Sequence, residues 1–311
     1  MNIVCLSRES EWSEAELTEL NRLGNFVQVT AAPKSAEELV RQLTKADYAI
    51  AEPLSFGPFS QKIFECLPQL KGVSIVTTRF AWIDTVAAKK RRVVVSNLPG
   101  YSTVSVAELA LGLMLAVSRK ITQAAASTKM GNHTYENYLG RELKNKTLGI
   151  IGLGSIGSYI GRLGKCLGMN VVGFNRTQRF GEVPQVDLNK LLTKSDIISM
   201  NLALNPETQG FLNREKLWLA KPSAVVINVS PEGLIDQETI YEMLAERRLY
   251  GYGFEVDKGR HNPTQEKLLQ LPNVIATPHC GWYTPEAQQR VKDLTIANVK
   301  AMIEGKPINT V

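Results

Sequence analysis

Residues Leu148 to Thr177 read LGIIGLGSIGSYIGRLGKCLGMNVVGFNRT. The apolar run Leu148 to Ile151 ends in Gly152-Leu153-Gly154-Ser155-Ile156-Gly157. A helical pattern follows, and then a second apolar run, Asn170 to Phe174. Strand, glycine turn, helix and strand in that order make the first unit of a dinucleotide-binding sheet. Gly152 allows the tight turn, Gly154 lets backbone approach a pyrophosphate, and Gly157 lets the helix pack on the strand. Ser155 and Ile156 open the helix, whose free N–H groups and positive dipole end favour phosphate. At the tip of the second strand an NAD site usually carries Asp or Glu for the ribose hydroxyls. Here the tip reads Asn175-Arg176-Thr177. Asn does not repel a 2′-phosphate, and the planar fork of Arg176 pairs with one. NADP is the expected coenzyme, with NAD the alternative.

The rest of the chain repeats this alternation. Before the glycine turn, Asn2 to Leu6, Phe26 to Val29, Tyr48 to Ala51, Gly72 to Val76 and Val93 to Ser96 read as strands. Glu14 to Leu23, Ser35 to Leu43, Gln61 to Cys66 and Asp84 to Lys90 read as helices. After it, Ile197 to Met200, Ala224 to Val229, Gly251 to Glu255 and Val274 to Ala276 read as strands. Gln237 to Arg247 and Pro285 to Glu304 read as helices. The pattern predicts an α/β fold of two Rossmann-like, doubly wound parallel-sheet domains. Between them, after Pro99-Gly100, an Ala- and Leu-rich stretch predicts one long helix over Val104 to Ser127. A helix that apolar must be buried, between domains or subunits. The polar, tyrosine-bearing segment Gly131 to Lys146 reads as an arm across a partner.

Composition narrows the function. The 311 residues suffice for two domains and a large core, and 44% are hydrophobic with 21% charged, which describes a soluble globular chain. A net charge of +6 suits a nucleotide phosphate or an anionic substrate. The densest basic run, Lys89 to Arg92, reads as a helix end and not a nucleic-acid arm. No run approaches membrane-spanning length. Cys5, Cys66, Cys166 and Cys280 show no metal spacing, so no metal site is expected. Their sparsity, with no evident signal peptide, points to the cytoplasm.

The chain resembles the D-isomer-specific 2-hydroxyacid dehydrogenases, which include the glyoxylate/hydroxypyruvate reductases. The resemblance rests on Asn97 to Ser102, Ser105 to Glu108, Lys146 to Gly157, Pro206-Glu207-Thr208, Ile227-Asn228 and Thr277-Pro278-His279. It implies a discontinuous substrate domain, residues 1–98 and 282–311, around a dinucleotide domain at 99–281. It also implies a homodimer through the long helix and arm, and a small anionic acid as substrate. The implied chemistry is hydride transfer between nicotinamide and the 2-carbon of a 2-keto or 2-hydroxy acid, with a histidine, His279, moving the proton. Val104, Asn201, Thr208, Asn228, Val229, Ser230, Glu255, His279 and Gly281 fall on positions that the resemblance assigns to the coenzyme.

Three positions depart from the family. Its carboxylate-binding arginine aligns with Pro231, which has neither charge nor backbone donor. Its histidine-holding glutamate falls on Arg260, and a cation there would disfavour a protonated His279. A glycine of its substrate loop is Arg79. Two readings stay open. In one, Arg79 takes over the lost arginine's work from the opposite wall, and Glu232 or another acid orients His279. In the other, the chain binds a nucleotide without turnover, as a redox-sensing or interaction module.

Overall fold

The structure, a computed structural model, describes residues 1–6, 12–54, 57–179, 181–256 and 262–311. The chain splits into two compact units, Met1–Tyr101 with Pro285–Val311, and Ser102–Thr284.

The first unit carries strands β1 (Asn2–Cys5), β2 (Asn25–Gln28), β3 (Tyr48–Ala51), β4 (Gly72–Ile75) and β5 (Val94–Ser96), all parallel, in the order β2-β1-β3-β4-β5. Its helices are α1 (Glu14–Leu23), α2 (Ala36–Leu43), α3 (Gln61–Glu65), α4 (Thr85–Lys90) and, from the far end of the chain, α12 (Pro285–Ile303). β3 and β4 are buried along their whole length, as strands covered on both faces must be. One face packs Leu39, Leu43, Ile63, Phe64 and Ala87 from α2, α3 and α4. The other packs Leu20 of α1 and Ile296, Val299 and Met302 of α12 against Ile3, Cys5 and Ile50. Helix starts follow the sequence: Ser13 and Glu16 form a capping box on α1, and Asp84 caps α4 through the Ala87 N–H at 2.8 Å. Past β5 the chain's last residues add an antiparallel bridge, Ser96 with Thr310, and Asn97 N–H donates to the Asn309 carbonyl at 3.0 Å.

The second unit is built on β6 (Thr147–Ile151), β7 (Asn170–Phe174), β8 (Ile197–Met200), β9 (Val225–Asn228), β10 (Gly251–Glu255) and β11 (Val274–Thr277). All are parallel, in the order β11-β10-β9-β8-β6-β7. The winding reverses at β6, which lies between β7 and β8. Ligands of such sheets bind outside the carboxyl ends at that point. One face is covered by α8 (Leu188–Lys194), α9 (Arg214–Leu217), α10 (Gln237–Ala245) and α11 (Pro263–Leu269), through Leu191, Leu217, Ile240, Met243 and Leu268. The other is covered by α5 (Thr103–Arg119) and α7 (Ser155–Cys166). α6 (Ile121–Lys129) continues from α5 with no buried residue. No described helix is long and apolar enough to cross a membrane.

Two expectations change. The stretch Val104 to Ser127 is not one helix: Lys120 adopts φ 54 and ψ 36, the left-handed region, and separates α5 from α6. The cause lies further along the chain. The Arg141 N–H donates to the Ser118 carbonyl at 2.8 Å, and a Cβ at Gly140 would lie 3.0 Å from that carbonyl oxygen, so the arm's backbone packs against the last turn of α5. The apolar face of α5 is also accounted for inside its own unit, where Ala107, Ala110, Leu113, Met114 and Val117 pack with Ile150, Ile160 and Ile227. Other element ends agree with the sequence reading to within a residue or two.

Candidate active site

The glycine turn has the geometry that its residues suggest. Gly152 sits at φ 96, and a Cβ there would lie 2.5 Å from the Asn201 carbonyl oxygen. A Cβ at Gly157 would lie 2.0 Å from the carbonyl oxygen of Gly152, so only glycine lets α7 start this close to its strand. Gly154 differs: among the described residues, a Cβ there would meet no atom within 4 Å. Packing within the protein therefore does not demand glycine at 154, whereas backbone approach by a pyrophosphate would. Gly154 is also the N-cap of α7 and supplies no side-chain acceptor, which leaves the N–H groups of Ser155, Ile156 and Gly157 for a ligand. These features fit a dinucleotide.

At the tip of β7 the three residues divide the work. Asn175 Oδ1 accepts the Leu153 N–H at 3.2 Å, and its Nδ2 donates to the Thr177 carbonyl at 2.9 Å, so Asn175 ties the glycine turn to the next loop. Arg176 pairs with Glu207. Glu207 sits in the turn after β8, where Asn205 Oδ1 accepts the N–H groups of Glu207 and Thr208 at 2.9 and 3.0 Å. The Thr208 hydroxyl donates to the Ala203 carbonyl at 2.7 Å and so builds this turn. Asn201 Nδ2 donates to the Ser199 carbonyl at 3.0 Å, while its buried Oδ1 has no hydrogen-bond partner at the carboxyl edge of the sheet.

The carboxyl ends of β9, β10 and β11 carry the second group. Buried Asn228 accepts the Ser230 N–H at 3.1 Å, and Ser230 Oγ donates to the Met200 carbonyl at 3.1 Å, which links β9 to β8. Val229 packs, half-buried, on the core beneath, and Val104 lies half-buried in the first turn of α5. Pro231 follows at φ −53 and opens a short helical turn, Glu232–Leu234. Glu232 accepts from Gln265 and, at 3.4 Å, from Asn262 Nδ2.

The acid that meets the His279 loop is Glu255. Glu255 is 6% exposed, and its carboxylate accepts the Gly281 N–H at 2.8 Å. The Cys280 N–H adds a bond, and the Thr277 hydroxyl lies at 3.5 Å. Burial raises the Glu255 pKa above its ordinary carboxylate value, against the opposing pull of the Gly281 N–H, the His279 charge and the Cys280 N–H. His279 itself has φ 54, and its N–H donates to the Thr277 carbonyl at 3.0 Å. That backbone region at a non-glycine residue has to be held by its surroundings. A Cβ at Gly281 would lie 2.9 Å from Glu255 Oε2, so that glycine makes room for the carboxylate.

Arg79 belongs to the other unit, on the loop after β4. Its side chain is exposed, and its carbonyl accepts the Trp82 indole N–H at 3.0 Å. Thr78 is pinned on both sides: its hydroxyl donates to the Leu98 carbonyl at 3.1 Å and its carbonyl accepts Asn97 Nδ2 at 2.9 Å. Arg260 lies outside the described residues. Two features escaped the sequence reading: the partnership of Glu207 with Arg176, and the cradle that Glu255 receives from residues 277–281.

Residues 111–281 match the family described as D-isomer specific 2-hydroxyacid dehydrogenase, NAD binding domain. A hydroxypyruvate reductase of Thermotoga maritima is 35% identical, over 89% of this chain and 92% of that protein. A D-3-phosphoglycerate dehydrogenase of Methanocaldococcus jannaschii is 33% identical over 92% of this chain, and the chain spans about half of that longer protein, 55%. A solved acyclic imino acid reductase in complex with NADPH and D-Arg superposes with a TM-score of 0.90 at 32% identity, covering 100% of both chains. The glycine turn, the parallel sheet wound about β6 and these matches lead to one assignment: the chain belongs to the D-isomer specific 2-hydroxyacid dehydrogenases, oxidoreductases that act on CH–OH groups.

Proposed function

We propose that this protein is an NADP-preferring oxidoreductase that interconverts a small 2-hydroxy acid, or a related compound, and the corresponding 2-keto acid or related carbonyl compound. When bound, the nicotinamide supplies or accepts the hydride. Gly152, Gly154 and the first turn of α7 would hold the pyrophosphate, and Arg176 the 2′-phosphate. His279 gives the proton to the heteroatom of the bond being reduced as the hydride reaches its carbon, or takes it in the reverse direction. Arg79 holds the substrate carboxylate and polarises the bond under attack. The observation that carries this reading is the His279 loop. A buried carboxylate, two backbone N–H groups and a left-handed histidine are assembled at the carboxyl edge of the same sheet that carries the glycine turn.

A second reading is favoured by Pro231. An imine of a 2-keto acid carries positive charge once protonated. It is already polarised, so it needs no arginine at that position to polarise the bond under attack. The similarity to an acyclic imino acid reductase bound to NADPH and D-Arg supports the same substrate class. One experiment separates the readings: NADPH oxidation against a panel of 2-keto acids, aldehydes and ketones, each with and without excess ammonia or a primary amine. Turnover of the acids alone supports the first reading, and turnover only with amine supports the second. No turnover with any member, despite tight NADPH binding, would overturn both and leave a coenzyme-binding protein.

The assembly we propose is a homodimer through α5 and the arm that follows. Met130, Tyr135 and Leu139 are 82%, 80% and 83% exposed within that arm, large apolar side chains that a partner would cover. A monomer in sedimentation at micromolar concentration would refute it. That Cys66, Cys166 and Cys280 are thiols outside any disulfide supports a cytoplasmic location.

A further inference from the structure

In this sheet β6, with its glycine turn, lies between β7 and β8, and the three strands end level: Ile151 is in register with Phe174 on one side and Met200 on the other. Neighbouring strands are about 4.8 Å apart, so the tips of β7 and β8 stand roughly 10 Å apart with the glycine turn between them. Arg176, just past β7, and Glu207, in the turn past β8, span this gap and pair. Both ends are held. Asn175 fixes its loop to Leu153, and Asn205 fixes the backbone of Glu207. The pair itself is open to water, with side chains 78% and 68% exposed. An exposed pair of this kind is weak and readily exchanged.

We propose that Glu207 is the coenzyme-selecting residue of this site: it occupies Arg176 in the free protein, and a 2′-phosphate must displace it to bind. The proposal rests on the reading of Arg176 as the NADP ligand. A phosphate carries more charge than a carboxylate and offers the guanidinium a bidentate face, so it wins the exchange. NADH brings no competitor and leaves the pair in place. The preference for NADPH is therefore smaller than an unengaged arginine would give, and Glu207 sets how much smaller.

The test is fluorescence titration of NADPH and NADH into the parent, Glu207→Gln, Arg176→Ala and the double variant, each checked for an unchanged far-UV spectrum. Glu207→Gln is expected to bind NADPH about three- to tenfold more tightly and NADH as before. The double variant is expected to match Arg176→Ala, because Glu207 acts through the arginine. If the parent prefers NADPH but Glu207→Gln changes nothing, the proposal is overturned and the reading of Arg176 stands. If Glu207→Gln tightens both coenzymes equally, the effect is general charge and the proposal is overturned. If neither Arg176→Ala nor Glu207→Gln alters either affinity, the NADP reading falls together with the proposal.

Discussion

Glu255→Gln tests the His279 loop at its anchor. The carboxylate accepts from the Gly281 N–H at 2.8 Å and from the Cys280 N–H, in a residue that is 6% exposed. The amide keeps one acceptor oxygen and replaces the other with a donor. A backbone N–H left facing the amide nitrogen loses its acceptor, at about 1–3 kcal/mol. The loss falls on a loop whose His279 already needs its surroundings to hold φ 54. A second effect opposes it. Burial raises the folded pKa of Glu255, so the ionised parent carries a desolvation cost that an amide does not. A raised folded pKa means that the folded state holds the proton more tightly than the unfolded chain. The stability this contributes is full below the ordinary carboxylate value and is lost as pH rises through the raised one. The glutamine has no such slope. The parent is therefore expected to exceed the variant in stability at acid pH, with the gap narrowing through that window. For activity, removing the carboxylate removes what favours a protonated His279, so the alkaline fall in reductive kcat/KM moves to lower pH. Thermal unfolding from acid to neutral pH and a pH–rate profile measure both. A stability gap flat in pH, with an unmoved rate profile, would refute the reasoning.

Four further outcomes are expected. Gly157→Ala places a Cβ 2.0 Å from the Gly152 carbonyl oxygen, so coenzyme binding is lost while the far-UV spectrum persists; calorimetric binding at parental affinity would contradict this. Arg176→Ala weakens NADPH and spares NADH, and equal losses for the two would count against a 2′-phosphate contact. Pro231→Arg fits without strain, because φ −53 suits any residue, and it should raise turnover of glyoxylate or hydroxypyruvate. A charged pair of this kind brings about 2–5 kcal/mol, or roughly 30-fold upward in rate, so an unchanged kcat/KM would show that the family's missing cation is not what limits these substrates. Arg79→Ala should abolish turnover with NADPH binding intact, and Arg79→Lys should recover part; parental kcat/KM without Arg79 would eliminate its role.

The glycine turn and the parallel sheets were legible because strands buried on both faces read as unbroken apolar runs, and because Gly157 answers to the Gly152 carbonyl a few residues away. The break at Lys120 was not, since the group that captures the Ser118 carbonyl comes from Arg141, beyond the helix that the periodicity describes. The same distance hides the partners of the site. Arg176 announces a phosphate by its type alone, but its pairing with Glu207 exists only once β7 and β8 flank β6. Glu255 aligns with a coenzyme ligand, yet its carboxylate also gathers residues 277–281. Glu232, an acid the sequence offered for His279, accepts from Gln265 and Asn262, partners the sequence does not announce.

The bridge of Thr310 to Ser96 sets a schedule for synthesis. Residues 1–101 need α12 to cover Ile3, Cys5 and Ile50, and their outer strand β5 needs the residues about Thr310 along its edge. The whole of Ser102–Thr284 is translated in between. At about 5–20 residues per second that interval is roughly 10–40 s, long enough for the inserted unit to fold. During it the first-made strands wait with one apolar face open and an uncovered edge, the condition in which chains pair with each other. Overexpression yield should therefore respond to translation speed through residues 102–284, and a chaperone that shields exposed strands should recover more soluble protein than one that acts only on the finished chain.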